Sequence, residues 1–119
     1  MPIKFSNDKP IFLQLAEIIK GNILGGKYGA NEKLPSVREF ALMYSINPNT
    51  VQKALQLLED DGLIVTDRTN GKFVAENTGL IEKQKEIIIN SEIDIFFDKM
   101  RALGLSNEDI KELIKNKGV

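Results

Sequence analysis

The chain has 119 residues, with 16 Lys and Arg against 17 Asp and Glu, for a net charge of −1. That length holds one core domain and an appendage, but not two full domains. With no Cys and no His, disulfides, thiolate catalysis and His-based metal sites or general bases are excluded.

The opening MPIKFSNDKP lacks the charged-then-apolar pattern of a signal peptide, and no apolar run approaches membrane-spanning length. A cytoplasmic protein without membrane contact is expected. From Pro10 to about Leu24, the apolar residues Ile11, Leu15, Ile18, Ile19 and Ile23 recur at helical steps. Asp8 is the expected N-cap, with Pro10 in the first turn. Gly25 and Gly26 end this helix, and KYGANEKL follows as a turn-rich connector.

The segment from Leu34 to Leu63, LPSVREFALMYSINPNTVQKALQLLEDDGL, carries the most information. Ser36 and Glu39 have capping-box spacing, opening a helix that runs to about Tyr44. Ser45, Ile46 and Asn47 make a turn. Asn47 caps the next helix, Pro48 occupies its first turn, and Gly62 supplies a left-handed end after about Asp61. Leu34, Val37, Phe40, Ala41, Val51, Ala54, Leu55 and Leu58 account for the core. Left over are Arg38, Asn49, Thr50, Gln52, Lys53 and Gln56, residue types that meet base edges and phosphates. Two helices set in this way form a helix-turn-helix.

Leu63 to Thr66 reads as a short strand, Asp67 to Gly71 as a loop ending in Asn-Gly, and Lys72 to Ala75 as a returning strand. Three helices followed by a hairpin make a winged helix-turn-helix, spanning residues 1–78. Beyond it, Leu80 to Leu103 reads as one long helix. Ile89, Ile93, Phe96, Met100 and Leu103 alternate four- and three-residue steps, in the manner of a coiled-coil seam. Ser106 caps a final helix to about Asn116, with Leu105 and Ile110 at hydrophobic-staple positions. The fold class is therefore mainly α with a small β-hairpin, a winged helix-turn-helix followed by a two-helix dimerisation tail over residues 79–119. The seam has two possible partners, the preceding domain or a second copy; its regular repeat favours a homodimer.

These motifs resemble one family closely. LPSVREFA, NPNTVQKALQLLEDDGLI and NGKFV, in that order, are similar to the GntR family of bacterial winged-helix transcription regulators. The first helix and connector match as well, so the resemblance covers roughly residues 10–75. The short helical tail resembles the YtrA-like subfamily, whose members lack larger effector domains. The resemblance implies DNA contacts at Arg38, Thr50 and Lys53, with Gly71 at a wing tip in or near the minor groove. Relatives commonly carry an Arg-Gly-x-Gly tip where this chain has Arg-Thr-Asn-Gly-Lys.

Together these readings give a site of Arg38, Asn49, Thr50, Gln52, Lys53, Arg68, Gly71 and Lys72 on double-stranded DNA. No cofactor, metal or catalytic residue is expected, and any small-molecule effector is unidentified. Residues 1–78 hold nine basic and nine acidic side chains, so binding rests on a local patch rather than on bulk charge. The expected function is a sequence-specific transcription regulator, a repressor acting as a homodimer on a palindromic operator. The alternatives are a non-specific architectural DNA-binding protein and a winged-helix protein-interaction module.

Overall fold

The computed structural model describes residues 4–118. In chain order the elements are α1 (Ile11–Leu24), α2 (Val37–Tyr44), α3 (Pro48–Asp60), β1 (Ile64–Asp67), β2 (Gly71–Val74), α4 (Thr78–Ala102) and α5 (Asn107–Asn116). The chain divides into two compact units, the first ending at Glu82 and the second beginning at Lys83.

In the first unit, α3 packs against both α1 and α2. Leu15 and Ile19 of α1 and Phe40 of α2 are fully buried, as are Val51, Ala54 and Leu55 of α3. Ile64 and Val74 extend this core under the hairpin. Buried positions on α3 recur at Val51, Ala54, Leu55 and Leu58, so one stripe faces the core and the opposite side is left to polar residues.

Local chemistry sets the helix ends. The Ser36 hydroxyl accepts from the Glu39 amide at 3.0 Å, and the Glu39 carboxylate accepts from the Ser36 amide at 3.0 Å, which is the complete capping box. Asn47 accepts from the Asn49 amide at 2.8 Å, with Pro48 in the first turn. Between α2 and α3, Ser45 takes a left-handed conformation with φ 54°, and the Ile46 amide donates to the Ala41 carbonyl at 3.0 Å. At α1 the cap differs from expectation. Pro10, not Asp8, occupies the N-cap position, and no side chain caps the helix there. Proline's fixed φ and missing N–H suit that entry without an acceptor side chain.

Two features of the hairpin also differ. Asp67 pairs directly with Gly71, so both residues read as loop belong to the strands, and the loop is the three residues Arg68 to Asn70. Gly71 begins β2 with φ 105°, a conformation that glycine adopts without the clash a side chain meets. The connector read as turn-rich also supplies a third, edge segment to the wing. The Leu34 amide donates to the Lys72 carbonyl at 2.9 Å and the Val74 amide to the Glu32 carbonyl at 2.9 Å. Lys33 thereby faces Phe73 across an antiparallel bridge.

The first turn of α4 belongs to the first unit. Ile81 is buried in its core, and Leu80 lies close to Gly62, where a Cβ would approach Leu80 Cδ2 to 3.1 Å.

In the second unit, α5 opens with a Ser106–Asp109 capping box, and Ile110 beside it is 1% exposed. Its companion at the staple position, Leu105, is half-buried. Of the residues read as a seam, Ile89, Ile93 and Phe96 of α4 are each more than two-fifths exposed and Leu103, just past its end, is 74% exposed, while Met100 is half-buried.

Candidate nucleic-acid interface

The polar face of α3 follows from helical geometry. Asn49, Gln52, Lys53 and Gln56 are exposed at spacings of three and four residues, opposite the buried stripe. Thr50, half-buried, sits in the first turn, where its amide donates to the Asn47 carbonyl at 3.0 Å. The Gln56 amide is occupied along the helix by Asp60 at 2.9 Å. Lys53 is steered from outside α3: its ammonium lies 5.6 Å from the ring centroid of Phe12 on α1, within cation–π range. Arg38, on the exposed side of α2, takes part in none of the ion pairs among the described residues, and neither does Lys53.

The wing presents its own set. Asp67 Oδ1 accepts from the amides of Thr69 at 2.8 Å and Asn70 at 3.0 Å, folding the loop that carries Arg68 outward. The Thr69 and Asn70 amides hold the Asp67 carboxyl below its ordinary range, because hydrogen bonds to a carboxylate favour the charged form. Arg68 is exposed at the loop's start. Gly71 leaves the strand entry bare, and the Lys33 side chain occupies the adjacent space, with Cε 3.4 Å from where a Gly71 Cβ would lie.

Lys72 has a different environment. Strand alternation puts it on the same face as Ile64 and Val74, the side turned to the core. Its ammonium donates to Thr66 Oγ1 at 2.8 Å and pairs with Glu59 at 3.5 Å. It ties the wing to the end of α3 instead of reaching outward. Lys33 is the residue that sequence reasoning missed. Within KYGANEKL it looked like connector, and only its pairing with β2 brings it beside the wing. No local signal in the sequence marks that long-range bridge.

The described residues contain no group of three or more His, Cys, Asp or Glu side chains able to hold a metal ion. None of their helices is long and apolar enough to cross a membrane. The sequence pattern of the bacterial regulatory proteins, gntR family, matches residues 12–74, which is the helix-turn-helix and wing just described. The chain belongs to the GntR family. Like the rest of this family it is a transcription regulator, not an enzyme. Among GntR relatives, the HTH-type transcriptional repressor YtrA of Bacillus subtilis (strain 168) is 38% identical over 108 residues, covering 89% of this chain and 82% of that protein. A GntR family transcriptional regulator from Listeria monocytogenes has the same fold with a TM-score of 0.86 and 36% identity, over 94% of this chain and 98% of that one. The DNA-binding domain of AraR, solved in complex with operator ORX1, aligns with 63% of this chain and 95% of its own at TM-score 0.58 and 25% identity.

Proposed function

We propose that this GntR protein is a sequence-specific DNA-binding repressor that acts as a homodimer on a palindromic operator. The observation that carries the reading is the outward face of α3. Asn49, Gln52 and Lys53 are exposed and stand on a helix whose other side is sealed in the core, the arrangement that lets a recognition helix enter a major groove. The AraR–operator complex, on a similar domain, supports DNA as the ligand, and the repressor YtrA supports the direction of regulation. Arg38, Asn49, Thr50, Gln52 and Lys53 form the helical contact set, with Arg68 and Gly71 at the wing. Lys72 joins through the wing's position.

Residues 79–119 serve as the dimerisation segment through Ile89, Ile93, Phe96, Met100 and Leu103. Of these, Ile89, Ile93 and Phe96 on α4 and Leu103 just past its end are exposed, with Met100 half-buried, and apolar surface left in water costs free energy until a partner covers it. A twofold pair of recognition helices about 34 Å apart reads two half-sites one helical turn apart. Near-neutral charge argues against an architectural role, which depends on phosphate neutralisation.

Selection of bound duplexes from a random pool tests the whole reading. A shared inverted repeat is the expected product. Recovery of unrelated sequences, or of none, overturns it.

A further inference from the structure

We propose that Lys33 is an additional phosphate contact, bridging the wing and the start of α2 along the DNA backbone. This rests on the DNA-binding reading and assigns a residue outside the helix-turn-helix and the hairpin loop to the same interface.

Several observations converge on it. The bridge between Lys33 and Phe73 fixes the connector backbone against β2, so Lys33 projects from a hydrogen-bonded edge rather than a loose loop. Alternation along that edge places its side chain on the face shared by Phe73 and Gly71, opposite to the face of Lys72. Along that face the lysine stem lies against the wing, with Cε 3.4 Å from where a Gly71 Cβ would stand, ordinary contact distance. The Lys33 charge is also felt at the start of α2. It reaches Glu39, whose carboxyl is held low first by the Ser36 amide and hydroxyl and to a lesser degree by Lys33. Glu39 is the immediate neighbour of Arg38. Lys33 is exposed and enters none of the ion pairs among the described residues. An ammonium on a fixed edge, between two elements that both approach DNA, suits a phosphate rather than a base. It is a compact charge without the planar fork that reads guanine.

The test is a sodium chloride titration of binding by fluorescence anisotropy. It uses two probes, a mixed-sequence duplex and the duplex recovered by selection, with the full-length wild type, Lys33→Ala and Lys33→Arg. Removing one phosphate contact should lower the slope of log K against log salt by about one, and Lys33→Arg should restore it. The affinity loss should be the same fold on both duplexes, because phosphates carry no sequence. An unchanged slope in Lys33→Ala, with wild type binding normally, overturns the assignment. So does a loss confined to the selected duplex, which would mark a base contact. Failure of the wild type to bind either duplex would instead overturn the DNA-binding reading itself. Thermal unfolding of each variant shows whether the fold is intact, as expected for an exposed side chain.

Discussion

Lys72 of β2 and Glu59 of α3 form an ion pair at 3.5 Å, with side chains 19% and 31% exposed. It joins the wing to the far end of the proposed recognition helix, and Thr66 holds the same ammonium at 2.8 Å. Partial burial places the pair toward the upper end of exposed salt-bridge energies. A double-mutant cycle of Lys72→Met and Glu59→Gln, read by urea unfolding, should give a coupling of about 0.5–1 kcal/mol. Zero coupling would mean that the wing is not tethered there. Lys72→Met should also weaken DNA binding less than Lys53→Ala, because its charge is already engaged.

Lys53 tests the helical contact set. If it reads a base, Lys53→Ala should cost about 1–3 kcal/mol of binding to the selected operator, with little change in thermal stability. The Phe12 ring 5.6 Å away helps to orient this side chain. Phe12→Leu, which keeps the apolar bulk but removes the ring, should therefore reproduce part of the same loss. Unaltered operator affinity in Lys53→Ala would remove the residue from the interface.

Gly71 constrains the wing by its backbone. At φ 105° a side chain is strained, although an added methyl group would meet the Lys33 stem only at ordinary contact distance. Gly71→Ala should destabilise the first unit by about 1–2 kcal/mol, seen as a lower urea midpoint. Wild-type stability in that variant would show that the turn adopts another geometry without penalty.

Acid should loosen both units through their caps and the wing. Glu39, Asp67 and Asp109 all have carboxyls held below their ordinary range, each chiefly by backbone amides, those of Ser36, Thr69 and Ser106 respectively. A group with a depressed folded pKa adds stability above its unfolded pKa, about 4 for a carboxyl, and loses it as pH falls through the folded value. Urea midpoints should thus be flat near neutrality and fall on acidification below about pH 5. Asp67→Asn should shrink that acid-dependent fall. A fall of the same size in the variant would reject the role of Asp67.

The tail seam predicts the assembly. Ile93→Asp places a charge on the apolar seam proposed to pair with a second copy, so sedimentation should shift from dimer to monomer. The first unit should keep its thermal transition, since Ile93 lies outside its core. Monomeric wild type would refute the dimer, as would an undisturbed Ile93→Asp dimer.

Much of this protein was legible in its sequence because its decisive features are local. The capping boxes at Ser36 and Ser106, the Asn47-Pro48 entry to α3 and the left-handed Gly62 are set by neighbours within a few residues. The stripe at Val51, Ala54, Leu55 and Leu58 is a periodicity, so the opposite face of α3 could be assigned to solvent before any coordinates. The charges on that face could be named, but not what each one touches. Only the tertiary structure decided that Lys72 turns inward to Glu59 and that Lys53 lies over Phe12. It also decided that Lys33 leaves its connector to flank the wing. These depend on strand register and on contacts between residues as far apart as Lys33 and Phe73, which periodicity and capping rules do not encode. A shift of one residue in register would exchange the faces of the strand, and with them which lysine is tethered and which is free to meet a phosphate.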